Sequence, residues 1–372
     1  MSIVLDAQII REILYGTSFL AAGGGGPLQV GLNMLDSMTE RYGDFTVELK
    51  EVEEMSQTEH AVVIAALGSP EATVGNEDKG FCVTEGKAVF NTLERIHHMA
   101  GRPLTSLIWA EHSPINGMIA INVALEKGLP ILDADAAGGR AVPGFDVFLG
   151  AVHGVPISPA VFADARGNVT IVMPDDPHDC YEVERIGRLV CTANDFVVGF
   201  GTYVVSREDI LTKLTTGSLS LSQKVGALFL KALEDGIDPM EDLKKILTLT
   251  ELCRGEVLSS EAKVVGGQDF GLITFRGKDG NKYYIDVQNE SLIFRNDEKV
   301  LITVPDSILT YDTDTLMPLS NADIKEGMNV MVCAMPAHEH WYLTPKGESC
   351  WLTRFKQLGY NGECVRYATL TC

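Results

Sequence analysis

Apolar positions recur along the first part of the chain with two periods, and the two alternate. Ile9, Ile10, Ile13, Leu14 and Leu20 follow a helical spacing, with Asp6 placed to cap the first turn. Gly23-Gly24-Gly25-Gly26-Pro27 stops that helix, and Pro27 suits the opening turn of a second one over 28–38. Short apolar runs at 45–49, 61–67, 104–110 and 129–132 read as strands. Between them, 83–99 carries Val89, Phe90, Leu93 and Ile96 on one helical face, and 115–127 forms a second helix that Gly128 ends. Strand, loop, helix, strand in that order implies a parallel sheet with right-handed crossovers.

The pattern changes past Pro143. Runs at 161–164 and 168–173 flank Ala165-Arg166-Gly167 as a hairpin, 181–194 is helical and 196–205 is a strand. Amphipathic helices at 218–234 and 240–249 are joined by residues 235–239. From Arg254 onward strands dominate. Runs at 270–276 and 282–288 flank Gly277-Lys278-Asp279-Gly280-Asn281, and further strands fall at 292–295, 299–304, 307–311 and 329–335. The expected fold is a parallel-sheet α/β amino-terminal domain over 1–170. A helical connection and a mainly β carboxyl-terminal domain follow over 171–372.

Composition narrows the function classes. A formal net charge of −21 argues against nucleic acid and against an anionic membrane surface, both of which need clustered Lys and Arg. No run approaches the ~18 apolar residues of a membrane span. None of the eight cysteines forms a CxxC pair, and the first residues lack a basic signal-peptide start, so the cytoplasm is the expected compartment.

Ligands of open α/β sheets sit beyond the carboxyl ends of strands. The loops after three successive strands therefore bring Gly68, Ser69, Glu71, Glu77, Glu111, His112, Asn116, Asp133, Asp135 and Arg140 to one edge. Four consecutive glycines suit close backbone approach, and Gly24, Gly25 and Gly26 can present N–H groups to a substrate carbonyl or anion. A tight corner between two helices explains the same run. Asp133 and Asp135, two apart on an extended chain, face one side; they form either a catalytic pair with split pKa values or an Asx-type turn with Arg140 as a local partner. Glu111 and His112 are further acid–base candidates, and Ser69, Glu77, Asn116 and Arg140 are candidate substrate contacts. A divalent metal on Glu111, His112, Asp133, Asp135 and His153 is a further option, although no HExxH pattern fixes it. His338-Glu339-His340 is a denser cluster that also reads as a polar loop before Trp341. Cys82 lies near the crevice loops, and no GxSxG elbow is present.

The helix ending in AAGGGGP, the strand ending in LGSP, the Glu77 loop and above all LEKGLPILDADAAGGRAVP together resemble the S-methyl thiohydantoin desulfurase family. Asn289-Glu290, Val304-Pro305-Asp306 and the glycine-led strand at 327–332 are similar to that family's carboxyl-terminal pattern. The resemblance implies an α/β domain followed by a β domain. It also implies hydrolytic replacement of a methylthio group on a five-membered ring, with release of methanethiol. It brings a small cyclic amide, hydantoin-like or thiohydantoin-like, as substrate. The alternative it leaves is a non-catalytic subunit of a hydantoinase-type complex. A hydantoinase-type partner protein and a homo-oligomer are expected as partners. Two departures fall in the expected pocket: Glu111-His112-Ser113-Pro114-Ile115-Asn116 where an acidic-Gly-Gly-x-Asn pattern is usual, and Ala137-Gly138-Gly139-Arg140 where a methionine-glycine-arginine run is usual.

Overall fold

The computed structural model describes residues 3–68, 83–194, 197–265 and 267–367. Its first sheet contains β1 (Ile3–Leu5), β2 (Val47–Lys50), β3 (His60–Gly68), β4 (Leu104–Trp109), β5 (Ile131–Asp135), β6 (Ala160–Ala163), β7 (Val169–Val172), β8 (Val197–Ser206) and β9 (Thr215–Thr216). The order is β1-β2-β5-β4-β3-β8-β6-β7, with β9 on β5. Strands β2, β5, β4 and β3 run parallel, as the alternation of apolar runs and helices requires. Strand β8 comes from beyond residue 170 yet pairs antiparallel with β3, so the sheet is mixed.

Side chains alternate across this sheet with the period of an extended chain. Leu107 and Trp109 of β4 enter the core that holds α1 (Ala7–Leu20), α2 (Leu28–Tyr42), α3 (Val83–Met99) and α4 (Pro114–Lys127). Ile108 enters the opposite core, which also takes Trp341, Trp351 and Phe355 from the end of the chain. Asp6 caps α1 by accepting from Ile9 N at 2.9 Å, as its position suggested.

Helix α5 (Cys180–Thr192) joins β7 to β8 and α6 (Arg207–Lys213) joins β8 to β9 within the first sheet, and α7 (Ser218–Asp235) leads from β9 toward the second sheet. Gly16 of α1 and Gly226 of α7 face each other across a backbone contact: a Cβ on either would overlap a carbonyl oxygen of the other helix. The helix expected over 240–249 is a single turn, Met240–Leu243. β-Branched Ile246, Thr248 and Thr250 favour extended backbone, and the chain passes through turns into β10.

The second sheet holds β10 (Thr250–Val265), β11 (Gln268–Gly277), β12 (Lys282–Gln288), β13 (Glu290–Asn296), β14 (Val300–Thr303), β15 (Ser307–Asp312) and β16 (Asn329–Met335). Its order is β14-β13-β12-β11-β10-β16-β15, with antiparallel pairing throughout. The chain then returns to the first sheet. The Trp341 indole donates to Gly138 O at 3.3 Å, and α8 (Leu352–Gln357) sets Phe355 in the same core. Among the described residues no helix is long and apolar enough to cross a membrane.

Candidate active site

The tetraglycine run is the hinge on which the site is built. Ala22, Gly23, Gly25 and Gly26 all have positive φ, between 52° and 85°. Three of these cost little because they are glycine. Gly24 is required for another reason: a Cβ there would overlap the Glu290 carboxylate. The loop's carbonyls pin it to β13, to the segment before β16 and to the cap of α4. Ala22 O accepts from Ser291 N at 2.9 Å, Gly23 O from Asn321 N at 2.8 Å, and Gly25 O from Ser113 Oγ at 2.8 Å. The N–H groups of Gly25 and Gly26 find no acceptor among the described residues.

Glu111 follows β4. Ser113 caps α4 by accepting from Asn116 N at 3.0 Å. That places Asn116 in the first helical turn, where its Nδ2 donates to Glu111 Oε1 at 2.9 Å and its Oδ1 accepts from Ala66 N of β3 at 3.0 Å. Val142 N donates to the other Glu111 oxygen at 3.0 Å. Burial pushes the Glu111 carboxyl up to about 7, against the pull of these two donors.

Glu290 opens β13 and is 3% exposed. Its Oε2 has no hydrogen-bond partner among the described residues. Burial drives its pKa well above the ordinary carboxylate range; the charge of Glu111 adds to this, and Arg140 opposes it. Two carboxyls therefore meet the cleft with different surroundings. Glu111 is supplied with donors that suit a carboxylate, whereas burial of Glu290, with its Oε2 unmet, favours the neutral acid.

Both line a cavity of about 180 Å³ between the sheets, together with the tetraglycine loop, Gly68 and Asn116. Phe145, Phe148 and Phe200 supply an apolar wall, and β10 and β11 close the other side through Ser260 and Ile273. Arg188 and Glu184 stand at one margin, paired at 3.1 Å, while Arg188 Nη1 donates to Gly267 O at 2.9 Å. The cavity suits a small molecule with a polar edge and an apolar body.

Of the residues expected at the site, Gly24, Gly25, Gly26, Glu111 and Asn116 come together here. Ser69 and Glu77, with Glu71 and Cys82, lie outside the described residues. Asp133 and Asp135 are corrected. They belong to β5 itself, not to the loop after it, and both are sealed. Asp133 Oδ1 accepts from Leu219 N at 2.7 Å and Ser220 N at 3.2 Å, so it caps α7. Asp135 accepts from Ala137 N at 2.9 Å and Gly139 N at 3.1 Å, and also from Ser218 Oγ. The face that the pair shares is turned to the start of α7, not to the cleft.

His112 turns away as well. Its Nδ1 lies 3.2 Å from Thr17 Oγ1 and 3.2 Å from Ser222 Oγ, between α1 and α7, and burial lowers its pKa. Arg140 is a buried strut: Nη1 donates to Pro305 O at 2.9 Å and Asp306 O at 3.1 Å, and the guanidinium lies over Trp351. It reaches the cleft through charge, not contact. Among the described residues no three His, Cys, Asp or Glu side chains gather in a metal-holding group. His153 instead bonds His340 O at 2.9 Å, and His338 accepts from His340 N.

Sequence reasoning names Glu290 only within the Asn289-Glu290 pair and gives it no place at the site. Its signal was present, an acid heading the apolar run Leu292–Phe294, but only the pairing of the two sheets brings it to Glu111.

Residues 8–174 match the family model described as S-Me-THD-like, N-terminal domain, and residues 178–360 match S-Me-THD-like, C-terminal domain. No curated protein matches the chain. Among solved structures, the crystal structure of a protein from Chromobacterium violaceum is similar over 98% of this chain and 99% of that one, with 23% sequence identity and a TM-score of 0.83. That likeness is one of fold.

Proposed function

The chain belongs to the S-Me-THD-like family, and from that premise we propose that it is a hydrolase of small cyclic amides of the S-methyl thiohydantoin or hydantoin type. The observation that carries this reading is the pair of buried carboxyls, Glu111 and Glu290, on one small cleft beside unused glycine N–H groups.

The chemistry follows from their protonation states. Glu111, as carboxylate, takes a proton from water while the water oxygen bonds to the ring carbon that carries sulfur. The electron pair of the ring C=N bond moves onto nitrogen, and the unused Gly25 and Gly26 N–H groups meet the charge. When that pair returns, the C–S bond breaks, and Glu290 gives its proton to the departing sulfur. Methanethiol leaves, and the hydroxylated ring carbon relaxes to the amide form. Transfer of the proton on Glu111 to Glu290 restores both groups. The apolar wall of Phe145, Phe148 and Phe200 excludes competing water and strengthens each charge interaction.

Incubating the purified chain with S-methyl thiohydantoins and a panel of cyclic amides, with thiol and ring-opening assays, tests the reading. Thiol or ring-opened product from this chain alone supports it. No product from any member, or product only after a hydantoinase-type partner is added, contradicts it.

A further inference from the structure

Strand β7 ends the order of the first sheet, and among the described residues no strand lies beyond it. Its hairpin with β6 fixes which way its backbone faces. Asp164 N donates to Asn168 O at 3.0 Å and Gly167 N to Asp164 O at 2.9 Å, with Gly167 at φ 80° as the bulged residue of the turn. Bonded and non-bonded pairs alternate from there along an antiparallel ladder. Phe162 with Thr170 and Ala160 with Val172 are therefore the bonded pairs. The N–H and C=O groups of Val169 and Ile171 point away from β6, and Met173 is next in that alternation.

Free sheet edges are usually blunted by a charge, a proline or a bulge. Residues 169–173, Val-Thr-Ile-Val-Met, carry no charge and no proline. Val169, Ile171 and Met173 are 42%, 46% and 68% exposed, and they occupy successive positions on one face. An apolar row thus runs beside outward-facing backbone groups.

The charges that flank this row select its occupant. An antiparallel pair made by a strand and its own copy is two-fold symmetric, so it closes as an isologous dimer. Centred on Ile171, the pairing sets Ile171 against Ile171 of the second copy and Val169 against Met173. Outward-facing backbone then meets outward-facing backbone at each position. Five residues from the centre, Arg166 meets Asp176 of the second copy, and the symmetry makes that pair twice. Both side chains are available: Arg166 is 83% exposed and Asp176 68% exposed. Sliding the copies by two residues in either direction brings Arg166 opposite Pro174 or His178 and loses both pairs. We propose that β7 is a dimerisation edge, which pairs antiparallel with β7 of a second copy in the register centred on Ile171. The two first sheets become one continuous sheet. This proposal does not depend on the catalytic reading.

Light scattering coupled to gel filtration, run on the full chain over a wide range of concentration, is the test. The chain mass is 40.4 kDa, and a species of at least twice that mass is expected. Ile171→Lys sets like charges directly opposite at the centre of the pairing and is expected to halve the mass. Arg166→Asp is expected to raise the dissociation constant at least tenfold, and adding Asp176→Arg is expected to restore it. If Ile171→Lys fails to fold, the Arg166→Asp variant and its charge-swapped partner decide alone. A wild-type monomer at every concentration would leave this edge to some other partner and overturn the proposal. An assembly that survives Ile171→Lys, or an Arg166→Asp defect that the swap does not repair, would also overturn it.

Discussion

The Glu290 carboxyl group fills the space that a side chain at position 24 would need, so the tetraglycine loop of the first domain and an acid of the second are shaped to one another. Gly24→Ala pushes Glu290 aside or forces the loop off its Ser291 and Asn321 anchors. Overpacking of this kind costs about 1–3 kcal/mol. A lowered midpoint of thermal unfolding together with lost turnover is expected. A variant with wild-type turnover would show that the contact is unimportant.

Glu111 gives the protein a pH signature. Its pKa is about 7 in the folded state and near the ordinary glutamate value when unfolded. Between those values the folded state binds more protons, so this group's contribution is fully present below the unfolded value and is lost as pH rises through about 7. A shift of this size amounts to about 3 kcal/mol as an order of magnitude. Urea denaturation from pH 4.5 to 8 is expected to show stability falling toward neutral pH, and Glu111→Gln is expected to lessen that fall, the part left coming from Glu290, whose raised pKa acts in the same direction. The same slope in the variant would assign it to other groups.

Turnover should move the opposite way. A carboxylate base at Glu111 makes the rate rise with pH through about 7. Asn116→Ala removes a donor that supports the charged form, so the rising limb shifts to higher pH. An unshifted limb would assign the base to another residue.

Asp133 has a different fate from Glu111. Its carboxylate caps α7, whose own cap residue is Gly217 and offers no side chain. Asp133→Ala is expected to lose about 1–2 kcal/mol of stability while the folded fraction keeps its turnover. Unchanged stability with abolished turnover would return Asp133 to the chemistry.

These outcomes trace to what local sequence can and cannot encode. Periodicity marked β3, β4, α3 and α4, and strand-end logic brought Glu111, Asn116 and the glycines to one edge. The two-residue spacing of Asp133 and Asp135 was read correctly as extended chain. Their partners, Leu219 N and Ser218 Oγ, lie on a helix more than eighty residues later, and no local pattern announces that helix as the one whose start they meet. Strand β8 joins the first sheet from the far side of the hairpin for a similar reason: its apolar run says strand but not which neighbour. Glu290 needed the docking of the second sheet, fixed by bonds such as Ser291 N to Ala22 O, before it counted as half of a pair.

The central claim is that Glu111 and Glu290 act on one substrate in one cleft. The most direct measurement is the initial rate of methanethiol release from an S-methyl thiohydantoin by the wild-type chain and by Glu111→Gln and Glu290→Gln, each verified as folded. We predict release by the wild type and a loss of at least about a hundredfold in each variant. Rates in either variant matching the wild type, or no release by the wild type, would contradict the account.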